Sequence, residues 1–256
     1  MADKTAIEWT DATWNPVTGC SKVSPGCAHC YAERLSLRFG TSKAPWTPAN
    51  ATQNVVLHED RLRIPLLWRQ PRMVFVNSMS DLWHELVPDW FIDRVFQTMA
   101  QADSHVFQVL TKRPERMLAW FQESGAGWAG ASLQHVWLGT SIENNRWVGR
   151  ADLLRQTPAA VRFISAEPLL SSLPELSLEG VDWLIVGGES GPVHRPMNAQ
   201  WVRDLRDLAR RSGTAFFFKQ WGGRTPKAGG RELDGRTWDQ FPVAKRTEPA
   251  RRRAAM

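Results

Sequence analysis

The stretch GCSKVSPGCAHCYAER, residues 19–34, contains every cysteine of the 256-residue chain: Cys20, Cys27 and Cys30. Thiolates bind soft metals, and a C-x2-C pair lets two of them grip one centre from a single turn. Three thiols leave one position of a tetrahedral centre unfilled, and three chemistries are open to them. A structural zinc site would recruit His29 or a distant histidine as its fourth ligand. A redox pair of Cys27 and Cys30 would leave Cys20 idle. An iron–sulfur cluster held by three thiolates would keep one iron open for another ligand.

Further along, short apolar runs each end in polar residues that suit binding or proton chemistry. Asn77, Ser78, Ser80 and Asp81 close one run, with turn capping as the plainer use of Ser80 or Asp81. Lys112 and Arg113 close the next; two adjacent cations suit a carboxylate or phosphate of a substrate, or are an ordinary solvated pair. Thr140, Ser141, Glu143 and Asn144 follow, and Glu143 also fits the first turn of a helix, where acids are favoured. Glu167 in SAEPLL and Glu189 in GGESG are the leading catalytic carboxylates. Each follows an apolar strand, where a buried charge without a partner is expensive. The alternative for both is an internal ion pair, with Lys219 or Arg195. Lys219 and Gln220 end FFFKQWGG, where a lysine after three phenylalanines would meet a phosphate or an acidic group. The histidines show no pair at metal spacing, and Walker, serine-hydrolase and paired-histidine zinc motifs are absent from the sequence.

These residues need elements to hold them. The runs at 72–83, 105–114, 135–144, 161–170, 182–191 and 214–222 read as buried strands of a parallel sheet, because their apolar stretches are continuous rather than alternating. Helices are expected at 28–38, 60–69, 89–102, 114–123, 144–156 and 198–212, and 171–181 is too short and too rich in Ser, Pro and Gly for one. Alternating strands and helices, with polar residues at nearly every strand end, predict an α/β fold with a single (β/α) barrel. A further strand around ATWNPVTG gives six or seven strands, so the barrel is expected to be incomplete. The barrel domain spans 1–222. A C-terminal extension at 223–244 reads as a small hairpin around Asp234-Gly235, and 245–256 as a basic, disordered tail. That tail carries +4 of the net charge of +6, so the body is close to neutral and basicity is weak support for a nucleic-acid partner. No apolar run is long enough for a membrane span and no apolar leader opens the chain, which predicts a cytoplasmic protein without a membrane partner. In a reducing compartment clustered thiols bind metal more often than they form disulfides.

The cysteine loop carries a family resemblance. C-x6-C-x2-C followed by Tyr-Ala, after the first strand of a βα barrel, resembles the cluster loop of radical S-adenosylmethionine (SAM) enzymes. Their usual spacing is C-x3-C-x2-C; here the first gap is three residues longer, and His29 stands where an aromatic residue is usual. IEWTDATWNPVTGC, SAEPLL, GGESG and KQWGG…LDGRTWD resemble a family of phage-associated three-cysteine proteins of unestablished activity, over nearly the whole chain. The resemblance implies a 4Fe–4S cluster on Cys20, Cys27 and Cys30, with SAM at the open iron. A flavodoxin- or ferredoxin-type protein would supply one electron. A 5′-deoxyadenosyl radical would then abstract hydrogen from a substrate in the barrel mouth, a nucleobase or nucleic acid being one candidate. It further implies that Asn77, Ser78 and Ser80 contact the methionine part of SAM, and Thr140, Ser141 and Glu143 its ribose, with Tyr31 in the same cofactor-binding set. GGESG follows a late strand, whereas the family's glycine-rich motif follows an early one, so that role is not transferred. The rival reading is a zinc-stabilised nucleic-acid-binding protein without catalysis.

Overall fold

In the computed structural model, residues 5–123, 126–128 and 133–243 are described; the basic segment 245–256 lies outside them. In chain order the strands are β1 (Ala12–Trp14), β2 (Val17–Thr18), β3 (Val56–Leu57), β4 (Met73–Val76), β5 (Val106–Thr111), β6 (Val136–Ser141), β7 (Arg162–Ala166), β8 (Trp183–Gly187) and β9 (Ala215–Gln220). The helices are α1 (Tyr31–Arg38), α2 (Ala51–Asn54), α3 (Asp89–Gln101), α4 (Pro114–Glu123), α5 (Arg150–Gln156) and α6 (Ala199–Ser212). Seven strands form one all-parallel sheet in the order β1-β4-β5-β6-β7-β8-β9, with β1 and β9 as its two edges. The expected incomplete α/β barrel is what the chain forms.

Side chains alternate across each strand and so sort into two cores. Val74, Val76, Phe107, Val109, Leu138, Ile164, Ala166, Val186, Phe216 and Phe218 face outward and pack with helices α3 to α6. Phe75, Trp137, Phe163, Trp183, Ile185 and Phe217 face inward around Trp9. The inner cluster shows the curl of the sheet. Strands β4 and β8 are four places apart, about 19 Å in a flat sheet at the usual strand spacing. Yet the rings of Phe75 and Trp183 stand 4.7 and 6.1 Å from the ring of Trp9. Gly139 is required in this layer, since a Cβ there would lie 2.5 Å from the Phe163 ring. The aromatic layer closes the strand N-terminal end, and polar chemistry is confined to the C-terminal mouth.

Local rules account for the departures from expectation. The segment 60–69 forms two short 3-10 turns, Glu59–Arg61 and Ile64–Leu67, because Pro65 lacks the amide that a continuous helix needs. The helix expected at 144–156 is divided into a turn at Asn145–Trp147 and α5. The antiparallel β2–β3 pair was not anticipated; two-residue strands leave no periodic signal. At the C-terminus, Asp234 and Gly235 both have positive φ (54° and 76°) between the bridged Leu233 and Arg236, the tight hairpin that Asp-Gly favours. Residues beyond it run antiparallel to β9, with Phe218 N–H donating to Trp238 and Gln240 N–H to Phe216, so the extension covers an open sheet edge. Among the described residues no helix is long and apolar enough to cross a membrane.

Candidate functional site

The cysteine loop leaves the sheet at a tightly fixed point. Gly19 bridges Ser80 and donates its amide to Met79 O, at φ 82°, where a Cβ would collide with Asn54 O. Only glycine fits there, and it delivers Cys20 beside the end of β4. Cys27 ends a 3-10 turn, Pro25–Cys27, with the Ser24 hydroxyl 3.9 Å from its sulfur. Cys30 is the N-cap residue of α1. All three are free thiols and half-buried. Burial and the Asp81 carboxylate push the Cys20 thiol up to about 12, against the pull of Arg113, and Cys27 adds to the push. Burial raises Cys30 as well, opposed by the amides of Glu33 and Ala32 and by Lys112, with Cys27 again raising it. Cys27 thus stands within electrostatic reach of both other sulfurs. Among the described residues, however, no three His, Cys, Asp or Glu side chains are gathered closely enough to hold a metal ion.

Charged side chains from several strand ends pin this loop across the mouth. After β6, Glu143 is fully buried; one oxygen accepts from Gly26 N–H at 3.1 Å and the other from Arg150 Nη1 at 3.1 Å. After β8, Glu189 accepts from His29 Nδ1 at 3.0 Å and from both Arg195 N–H and Arg195 Nε at 2.9 Å. Arg195 Nη2 donates onward to Pro25 O at 3.0 Å. Burial pushes the Glu189 carboxyl up, but the Arg195 guanidinium and His29 outweigh it and hold it at about 2. After β5, Arg113 is 6% exposed and every nitrogen of its guanidinium donates: Nε to Glu85, Nη1 to Asp81 and to the Cys20 sulfur at 3.5 Å, Nη2 to Ser21. Asp81 also accepts from Thr111 Oγ1 and from the Lys112 and Trp83 amides.

Inside the mouth, Lys219 Nζ lies 2.8 Å from Glu167 Oε1, and Ser165 Oγ donates to Glu167 Oε2 at 3.1 Å. Lys112 and Ser141 fall on the same interior face by strand alternation. Asn77, at the mouth end of β4, is 3% exposed with φ 63°, and neither its amide oxygen nor its amide nitrogen has a partner. A buried amide with no hydrogen bond is costly. Tyr31 Oη donates to Ser78 O at 2.8 Å, joining the start of α1 to the residue after Asn77.

The structure thus brings the cysteines, Tyr31, Asn77, Lys112, Ser141, Glu143, Glu167, Glu189 and Lys219 to one rim. Several of the expected residues do other work there. Arg113 has no donor left for a substrate anion and instead orients the Cys20 end of the loop. Glu189 and Glu143 have both carboxylate oxygens occupied and act as pins. Thr140 lies on the outward face, donating to Thr111 O, and the Gln220 amide turns away to Gly188 O and Ser190 Oγ. Ser80 Oγ donates to Val17 O, and the Ser78 hydroxyl pairs with Asn15. Arg150 was missed: a buried arginine in a short helix carries no sequence signal until its partner Glu143 is placed. The Ser21–His84 contact at 2.9 Å was missed for the same reason.

The fold and site define an open α/β barrel with a three-thiol loop tied over its mouth. The chain belongs to the family described as protein of unknown function (DUF5131), whose model matches residues 4–242. No curated protein sequence matches it. Among solved structures it is similar to a variant of spore photoproduct lyase with bound AdoMet and dinucleoside spore photoproduct, at 11% identity and TM-score 0.40, over 78% of this chain and 60% of that one. A second structure, spore photoproduct lyase complexed with dinucleoside spore photoproduct, matches at 12% identity and TM-score 0.35, over 76% and 59% of the two chains. The chain therefore spans about three-fifths of the length of these proteins.

Proposed function

We propose that the chain is a radical SAM-type iron–sulfur enzyme whose cluster is held by Cys20, Cys27 and Cys30. The observation that carries this reading is the coincidence of all three thiols, on one pinned loop, with the unpartnered amide of Asn77 at the same mouth. The donor set fits the group: three soft thiols without a fourth leave one iron available to a small ligand, and the neighbouring buried amide lacks a partner. A structural zinc site takes four protein ligands, whereas the chain has three cysteines and would have to draw the fourth from a histidine.

When bound, cluster and SAM together supply a 5′-deoxyadenosyl radical, given one electron from a flavodoxin- or ferredoxin-type donor. The protein's own residues bind and orient. Asn77 presents a free donor and a free acceptor to the amino acid portion of the cofactor, and Lys112 a cation to its carboxylate. Arg113, Glu143 and Glu189 hold the loop so that its thiols keep their places. The aromatic floor of Trp9, Trp137, Phe163 and Trp183 closes the barrel below and keeps water from the interior. Glu167 and Lys219, fixed to each other and to Ser165, are the charged groups placed to meet a substrate. The test is anaerobic incubation of reduced protein with SAM, assayed for 5′-deoxyadenosine. The reading predicts its formation by the wild type and its loss in Cys20→Ala, Cys27→Ala and Cys30→Ala. A brown, iron-loaded wild type that never cleaves SAM would overturn it.

A further inference from the structure

Charge is distributed very unevenly over the chain. Residues 19–46, the cysteine loop with α1 and its exit, carry net +3, with Glu33 as their one acid. Residues 219–231, the end of β9 and the loop after it, carry net +4 with no acid at all. The remainder of residues 1–244 is therefore net −5. The two basic segments meet in the fold. Gly223 O accepts from Gly191 N–H, a Cβ on Gly191 would collide with Arg34 Nη1, and Arg195 reaches Pro25 O. Together they make one positive margin on the β8–β9 side of the mouth.

That margin is only partly neutralised from within: Lys22 pairs with Glu33, Lys219 with Glu167 and Arg231 with Asp239. The other carboxylates reaching the mouth, Asp81, Glu143 and Glu189, pair with Arg113, Arg150 and Arg195. Arg34, Arg224 and Lys227 are exposed, and none forms an ion pair among the described residues. The exposed rings of Tyr31 (43%) and Phe39 (70%) stand at the two ends of α1, the helix that carries Arg34 and Arg38. Cations alternating with exposed aromatic residues along one helix, beside the barrel mouth, match a polynucleotide: phosphates take the guanidinium groups and bases take the rings. A lipid headgroup surface would use the charge but leave the recessed mouth unused. We infer that this margin docks a single-stranded nucleic acid and delivers one base into the mouth; the inference rests on the proposed function, and it names the substrate class. A base inside a duplex cannot reach a recessed site without leaving its stack, so single-stranded or distorted substrates are expected to bind best.

The experiment measures binding of the full chain to a fluorescein-labelled 20-mer of single-stranded DNA by anisotropy over a range of salt. It compares wild type with the double variants Arg34→Gln/Lys227→Gln and Arg210→Gln/Arg211→Gln. The second pair removes the same charge at the C-terminal end of α6, which leads into the start of β9, the barrel end away from the mouth. The C-terminal basic segment is common to all three proteins. The rim pair is expected to weaken binding and to flatten the plot of log K against log salt by about 1.4, at about 0.7 for each single-strand phosphate that is no longer neutralised; the α6 pair is expected to leave the slope unchanged. Equal effects of the two pairs, no effect of either, or equally tight salt-sensitive binding to phosphatidylserine vesicles would overturn the inference. Iron content, measured on the same samples, separates the two claims. Normal iron with no rim effect defeats the nucleic-acid margin alone, whereas rim-dependent DNA binding without iron defeats the cluster alone.

Discussion

At the scale of single residues, the carboxylates divide by what occupies their oxygens. Glu143 is wholly enclosed between Arg150 and Gly26, so removing its charge strands a guanidinium that is itself 3% exposed. Breaking one partner of a buried pair costs about 3–5 kcal/mol, and Glu143→Gln is expected to lower thermal stability by that order and to loosen the cysteine loop. Glu167 faces the open mouth beside a partly exposed lysine, and Glu167→Gln is expected to stay folded and iron-loaded while losing substrate turnover. Melting temperature and iron content of the two variants, taken together, check this split; the reverse pattern would exchange their roles. Glu189 gives a pH signature. Its carboxyl is held at about 2 against an ordinary value of 4.5, so its contribution is complete above about 4.5 and disappears as pH falls toward 2. The difference in melting temperature between wild type and Glu189→Gln should be widest near pH 6 and close between pH 4.5 and 2. A gap that stays constant with pH would show that the Arg195 and His29 contacts do not hold the charge.

At the scale of elements, the strand ends were legible because a parallel barrel places all its C-termini at one mouth, and each apolar run names its own end. Which side chain at an end faces inward was not. Strands buried on both faces have no polar alternation to reveal parity, so Thr140 was indistinguishable from Ser141, and Gln220 from Lys219, until the inner layer of Phe163, Trp183 and Phe217 fixed the register. Partner choice was half legible. Lys219 and Arg195 were visible as possible partners of Glu167 and Glu189, but which cation serves which carboxylate was not: Lys219 is on β9, two strands from Glu167 after β7, and Arg195 follows Glu189 in the same loop. That Arg113 serves the Cys20 sulfur and Ser21 was not legible, because 93 residues separate it from Cys20 and only the closed fold joins them. The two-residue strand β3 escaped because a strand that short carries no period, and β2 was read as the end of the strand around ATWNPVTG; the pair leads directly into Gly19 and so into the start of the loop.

At the scale of the whole molecule, the chain separates stability from chemistry by direction. The outer core and the aromatic floor hold the sheet curled, and the mouth gathers the unpartnered Asn77 amide, the Lys112 ammonium and three thiols. The central claim is that these thiols hold one iron–sulfur cluster, and it is tested most directly by metal and acid-labile sulfide analysis of anaerobically reconstituted protein. The account predicts about four irons and four sulfides per chain, as a 4Fe–4S cluster requires, falling steeply when any one of Cys20, Cys27 or Cys30 is replaced by Ala. One zinc per chain with no labile sulfide, or iron that survives loss of Cys20, would contradict it.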